Sequence, residues 1–259
     1  MTAVYLFNEK ALKVFGSYIG PDTLFAFDLD GTLAPIVAEY SAAMVAEPVR
    51  CAMKRLVKLA KVSVITGRSR KDALAILGFE PHLLIGNHGA EWPIGTESRD
   101  QRFVQTCTGW REQLLEGLKE IRGVEIEFKG ESLTVHYRKA TDPERTLAHV
   151  NAAIAQLTPE PKRIGGKFVV NLLPMEAQTK GEALVASMER LGLTRSIFFG
   201  DDLTDEEVFQ LKDTDLFGIH IGKDDRTAAP YYLNSQSELL GLLNSIVGIL
   251  ESQYNNRGE

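Results

Sequence analysis

Cysteine is scarce in this chain. Its two cysteines, Cys51 and Cys107, lie far apart and form no CxxC or zinc-binding spacing. That excludes a disulfide framework and leaves them as buried or incidental thiols of a reducing compartment. No apolar run is long enough to span a bilayer: the greasiest stretch, residues 239–250, is broken by Asn244 and Ser245 and reads as a closing helix packed on the core. The N-terminus lacks a basic region followed by an apolar core, and Glu9 and Lys10 arrive early, so no secretory signal is visible. The chain therefore reads as cytoplasmic. Positive charge is also lacking. A net charge of −6 argues against nucleic-acid or anionic-membrane partners, and any anionic substrate must be met by a local positive site. Repeats and low-complexity segments are absent, and a monomer is the expectation.

What is present is globular. Apolar residues at 44% and charged residues at 25% of 259 suit a main domain with a smaller companion. Asn8 is placed to cap a helix to about Tyr18, which Gly20-Pro21 ends. An apolar strand follows over residues 24–28, and residues 34–46 read as a loop. Pro48 opens a helix of 3.6-residue period. Residues 62–66 are a β-branched strand, Ser69 caps the next helix, and residues 82–86 are a third strand before the polar turn Asn87-His88-Gly89. The character changes after Glu91. Residues 93–102 look like a crossing segment, 109–121 a helix, 124–129 and 133–138 paired strands turning at Gly130-Glu131, 143–157 a helix and 167–173 a strand. Thr179 then starts a periodic helix, and short apolar strands resume at 196–200 and 217–221. The fold class is α/β: a doubly wound parallel sheet interrupted by an inserted α+β unit. The expected boundaries are 1–94 and 175–259 for the core and 95–174 for the insertion.

The chemistry gathers at strand ends. The run Phe25-Ala26-Phe27-Asp28-Leu29-Asp30-Gly31-Thr32 puts two carboxylates at alternate positions where an apolar strand stops. Open α/β sheets put their chemistry at that end. Two carboxylates so close repel each other, which suits either a divalent cation or a division of nucleophile and acid roles; a strand running into an Asx turn is the plain alternative. Gly200-Asp201-Asp202-Leu203-Thr204-Asp205-Glu206 repeats the pattern after Ile197-Phe198-Phe199, and two acidic ends in one sheet suggest a shared cation site. Glu206 reads as a residue that suits a helix N-terminus. Thr66-Gly67-Arg68 offers a hydroxyl, a flexible backbone N–H and a guanidinium for an anion. Lys180 opens a helix where the dipole disfavours it, which makes sense if it faces a phosphate or the aspartates. No GxGxxG follows the first strand, so a nucleotide-binding dehydrogenase is excluded.

In this order the four stretches resemble the haloacid dehalogenase superfamily of phosphotransferases. The resemblance implies that Asp28 attacks phosphorus and becomes an aspartyl phosphate. Asp30 then serves as acid to the leaving alcohol and as base for water. It further implies Mg²⁺ held by the Asp28 and Asp201 carboxylates and the Asp30 carbonyl, with Asp202 and Asp205 supporting them from behind, and Thr66 and Lys180 on the transferring phosphoryl group. The insertion occupies the position of that superfamily's cap.

A closer resemblance is to trehalose-6-phosphate phosphatases. It is carried by Gly86-Asn87-His88-Gly89-Ala90-Glu91, Glu127-Phe128-Lys129 and His136-Tyr137-Arg138, and it implies sugar contacts by Asn87, His88, Glu127, Lys129 and Arg138 beside Gly67 and Arg68. Carboxylates and amines in a cap can bind several hydroxyls at once. Glu127 and Lys129 equally suit an ordinary ion pair on a hairpin, His88 a structural turn, and His136 a packed strand residue. One position departs from the family: Val169-Val170-Asn171-Leu172-Leu173-Pro174 carries Asn171 where the family has a glutamate, which removes a charge-assisted contact. The expected function is Mg²⁺-dependent hydrolysis of trehalose 6-phosphate, a small-molecule sugar phosphate. The alternatives are another substrate, such as a glucosyl or mannosyl-glycerate phosphate, and a non-catalytic sugar-phosphate sensor or regulatory partner of a synthase.

Overall fold

The computed structural model describes residues 2–37, 42–93, 101–166 and 168–256. The chain forms two compact units, Met1–Gly89 with Thr179–Glu259, and Ala90–Gln178.

The first unit is built on seven parallel strands: β1 (Val4–Tyr5), β2 (Thr23–Phe27), β3 (Lys61–Ile65) and β4 (Leu83–Ile85) before the insertion, then β9 (Arg195–Gly200), β10 (Asp215–Ile221) and β11 (Tyr231–Leu233) after it. Their order across the sheet is β1-β11-β10-β9-β2-β3-β4. All five residues of β2 are buried, which is why its sequence is a continuous apolar run, not an alternating one. Phe27 stacks on Phe199 with centroids 4.7 Å apart, locking β2 against β9. Helices α1 (Glu9–Tyr18), α2 (Glu47–Leu59), α3 (Arg70–Leu77), α6 (Lys180–Leu191), α7 (Glu206–Phe209) and α8 (Leu239–Asn255) complete the unit. Their starts follow local chemistry. Asn8 accepts from Lys10 N at 3.0 Å, Ser69 accepts from Asp72 N at 3.2 Å, and Pro48 lies in the first turn of α2.

The second unit has an antiparallel sheet of β5 (Glu125–Phe128), β6 (Leu133–His136), β7 (Lys162–Gly166) and β8 (Val169–Leu173), ordered β5-β6-β8-β7. Helices α4 (Gln101–Gly117) and α5 (Pro143–Ile154) belong to the same unit. Cys107, Trp110, Leu133, Val135, Val150, Ile154 and Leu172 make its core.

Several elements differ from the sequence reading. The helix expected over 109–121 runs from Gln101 to Gly117: its buried stripe of Cys107, Trp110 and Leu114 begins two residues before Gly109 and is extended a turn earlier by the half-buried Phe103 and Val104. Of the expected crossing segment, residues 94–100 lie outside the described residues, as do 38–41 of the expected loop and Lys167 of the last insertion strand. Strands β1, β7 and β11 have no counterpart in the sequence reading. Two of them are three residues or fewer, and β7 (KRIGG) has two charges and two glycines instead of an apolar alternation. Among the described residues, no helix is long and apolar enough to cross a membrane.

Candidate active site

Four neighbouring strands, β9, β2, β3 and β4, deliver the predicted residues to one end of the sheet. Asp28 directly follows β2, its N–H still donating to Phe199 O at 2.8 Å. Asp201 follows β9, Thr66 follows β3 with its N–H on Ile85 O at 3.0 Å, and Asn87 and His88 come shortly after β4. Carboxyl ends of adjacent parallel strands form a common rim because parallel strands all point one way.

Lys180 is brought to this rim by the start of α6. Thr179 caps that helix in a reciprocal pair with Glu182: Glu182 N donates to Thr179 Oγ1 at 3.3 Å, and Thr179 N to Glu182 Oε2 at 2.7 Å. The dipole that disfavours a lysine there is outweighed locally. Lys180 Nζ donates to Asp28 Oδ1 at 2.7 Å and to Asp205 Oδ1 at 2.8 Å, and all three side chains are buried. Asp205 spends its other oxygen on the turn after β9, accepting from Asp201 N at 2.9 Å and Asp202 N at 3.1 Å. It therefore braces both the lysine and the acidic loop. Asp202 is exposed and caps Leu203 N at 2.7 Å.

Asp28, Asp201 and Asp205 each offer an oxygen within 4.8 Å of the others. One ammonium cannot balance three carboxylates, and the proton affinities record it. Burial pushes Asp201 up to about 9, with Asp28 and Asp205 adding to the rise. Burial likewise pushes Asp28 up to about 7 against the pull of Lys180. Burial alone would lower the Lys180 pKa, but Asp205 and Asp28 raise it above the ordinary lysine value and keep the ammonium charged. A cluster that binds protons this readily has room for a further positive charge, and its hard oxygen donors suit a divalent cation such as Mg²⁺. Gly31 makes the approach possible: its φ is +87°, and a Cβ there would overlap the Asp201 carboxylate. Thr32 Oγ1 reaches Asp201 Oδ1 at 3.4 Å.

Asp30 stands apart from the trio. Both of its oxygens accept from Arg68, from Nε and Nη2, each at 2.6 Å. This fork-to-fork ion pair fixes the carboxylate in one orientation, and Arg68 is itself buried. Arg68 N donates to Thr66 Oγ1 at 3.2 Å.

In the second unit, register aligns Glu127 on β5, Thr134 on β6 and Asn171 on β8 in one row across the sheet. Thr134 Oγ1 donates to Asn171 Oδ1 at 2.8 Å, and both residues are buried. Glu127 Oε2 meets His136 Nε2 at 2.9 Å and Lys129 Nζ at 3.7 Å. Burial would raise the Glu127 pKa, yet the His136 hydrogen bond and the Lys129 charge hold it below the ordinary glutamate value. Arg138 is exposed. Thr134 and Asp205 carry more of the hydrogen bonding than their sequence neighbourhoods suggested. For Thr134 the available signal was its place two residues before His136 on an alternating strand, hence on the same face. A cavity of about 200 Å³ in this unit is lined by residues including Arg102, Phe103, Trp110, Pro159 and Met175, and none of the predicted site residues line it.

Comparison with known proteins agrees with this geometry. The model of the trehalose-phosphatase family matches residues 26–237. A probable trehalose-phosphate phosphatase 4 of Oryza sativa subsp. japonica is 27% identical over 263 residues, covering 95% of this chain and 70% of that protein. Among solved structures, the C. albicans trehalose-6-phosphate phosphatase C-terminal domain superposes with a TM-score of 0.73 at 22% identity, covering 96% of this chain and 98% of the other. The Candida albicans trehalose synthase regulatory protein C-terminal domain gives 0.68 at 15% identity, covering 94% and 99%. At these identities the two structures speak for the fold alone.

Proposed function

The chain belongs to the trehalose-phosphatase family, and from that premise we propose that it hydrolyses trehalose 6-phosphate to trehalose and phosphate through an aspartyl phosphate on Asp28. Membership makes it a phosphoric monoester hydrolase. The observation that carries the mechanism is the buried cluster of Asp28, Lys180, Asp205 and Asp201 at the ends of β2 and β9 and the start of α6, where three carboxylates to one ammonium call for a further cation beside the Asp28 carboxylate.

In the proposed reaction an Asp28 oxygen attacks phosphorus and forms the P–O bond as the bond to the sugar oxygen breaks. Asp30, having taken a proton from solvent in place of one of its two Arg68 hydrogen bonds, gives that proton to the sugar oxygen, then takes one from the water that hydrolyses the acyl phosphate. Arg68 orients Asp30 through the hydrogen bond that remains. Lys180 neutralises charge on the transferring group, and the Thr66 hydroxyl holds a phosphoryl oxygen. A Mg²⁺ ion held by Asp28, Asp201 and the Asp30 carbonyl would supply charge neutralisation at the phosphoryl oxygens. Asp205 and Asp202 support this set through hydrogen bonds. The inserted unit, expected at 95–174, selects the sugar through Glu127, Lys129, His136 and their neighbours.

A second reading keeps this chemistry and changes the sugar. It is favoured by residue 171, a neutral asparagine whose Oδ1 is committed to Thr134, where the family resemblance leads one to expect a carboxylate. The mechanism itself is tested by acid quench during turnover and mass spectrometry of the Asp28 peptide. One added phosphoryl group is expected there. Its absence, or turnover by an Asp28→Asn variant, contradicts the nucleophile.

A further inference from the structure

We propose that His88 is a positioning residue for the phosphate-facing loop Thr66-Gly67-Arg68, holding it through its ring against Gly67 and through its backbone. This rests on the reading above that the loop meets the transferring phosphoryl group.

After β4 the chain takes two consecutive residues through the left-handed region, Asn87 at φ 50° and His88 at φ 58°. Side chains disfavour that conformation, and both residues are buried, so the surroundings must hold it. They do so through the loop after β3. Asn87 N donates to Arg68 O and His88 N donates to Thr66 O, each at 2.9 Å. The carbonyls at both ends of the three-residue loop are thus tied to the turn.

The middle of the loop is covered by the ring. The three atoms nearest to a Cβ built on Gly67 all belong to the His88 imidazole, and Nε2 would lie 2.5 Å away. Gly67 is not among the residues of positive φ, so its backbone would accept a side chain. Its need to be glycine comes from the neighbouring ring. What the loop carries is the site itself: the Thr66 hydroxyl, and the Arg68 guanidinium with both of its bonds to Asp30. A shift of Gly67 moves Thr66 and Arg68 together, and with them the orientation of Asp30. The family resemblance implies that His88 touches the sugar, with a structural turn as the plain alternative; the contacts on this rim assign it to the loop.

A double-mutant cycle tests the assignment, with turnover of trehalose 6-phosphate and melting temperature measured for the wild type, G67A, H88A and G67A/H88A. With both partners intact, a methyl at 67 displaces the loop and turnover falls about 100-fold, the scale of a 1 Å misplacement. Loss of the ring alone loosens the loop and lowers kcat about tenfold, with KM changed less than about twofold. In the double variant the methyl occupies the vacated space, and turnover returns to the level of H88A. Losses that instead multiply to about 1,000-fold would show independent residues and overturn the proposal. Should G67A fail to fold, recovery of folded protein in the double variant is the same result, and failure of both overturns it. If the wild type releases no phosphate from any sugar phosphate, the functional reading fails. Hydrogen exchange of the 66–68 amides across the same four proteins then decides: faster exchange in G67A that reverts to the H88A level in the double variant supports the assignment, and additive changes reject it.

Discussion

Replacing Asp28 by asparagine should abolish turnover and yet stabilise the metal-free protein. The carboxylate lies 2.7 Å from the Lys180 ammonium, an attraction of about 6 kcal/mol at an effective dielectric constant of roughly 20. It also lies within 4.8 Å of oxygens of Asp201 and Asp205, each repelling it by about 3.5 kcal/mol on the same scale. These sums cancel to within about 1 kcal/mol. Burial of the charge, the largest contribution to the raised proton affinity of Asp28, therefore decides the sign. Even a fraction of the several kcal/mol that such burial costs leaves the amide ahead by roughly 1–3 kcal/mol. The assay is thermal unfolding at pH 10 in chelator, above the values of about 7 and about 9 to which burial pushes Asp28 and Asp201, so that both carboxylates carry the charge counted here. The variant should melt higher, by roughly 2–4 °C for each kcal/mol. Added Mg²⁺ should reverse the order, because the wild type gains about 2.7 kcal/mol at a hundred times its dissociation constant and the variant has lost a ligand. A variant that melts below the wild type in chelator refutes the reasoning, since Lys180 would then need the Asp28 charge more than the other aspartates repel it.

Three further outcomes follow from the same geometry. Arg68→Lys keeps the charge but loses the two-pronged grip on Asp30, so turnover of a sugar phosphate should fall on the order of 100-fold; p-nitrophenyl phosphate, whose leaving group needs no proton, should suffer less, and equal losses on both would count against Arg68 acting through Asp30. Glu127→Ala should impair a disaccharide phosphate much more than a small phosphate ester, measured as kcat/KM on each; equal losses would make Glu127 structural. Glu127 also predicts a pH dependence: its lowered pKa contributes stability that is present above the ordinary glutamate range and is lost as pH falls through the depressed value. The melting-temperature gap between wild type and Glu127→Gln should therefore close on acidification, from a difference of less than about 1 kcal/mol because the side chain is one-third exposed; a gap that widens would contradict the sign.

Much of this site is legible in the sequence. Buried strands that stop at aspartates announce themselves as apolar runs with acidic ends, and the caps Asn8, Ser69 and Thr179 are strictly local signals. The pairing of Arg68 with Asp30 was not legible. It depends on β2 and β3 being neighbours in register, and a guanidinium next to a helix start reads more readily as an anion ligand. The left-handed turn at Asn87-His88 was hidden because no glycine marks either residue, and its conformation is imposed by the carbonyls of Thr66 and Arg68. The start of α4 was missed because charge and proline near residue 93 outweighed a buried stripe that only packing makes plain. Asn171 was visible as a departure, but its bond to Thr134 needed the strand order β6-β8, which skips β7.

Phosphate release from a panel of sugar phosphates, with Mg²⁺ and with chelator, tests the central claim most directly. The account predicts release that requires the metal and prefers trehalose 6-phosphate over the other sugars. No release from any member of the panel, or release undiminished by chelator, would contradict it.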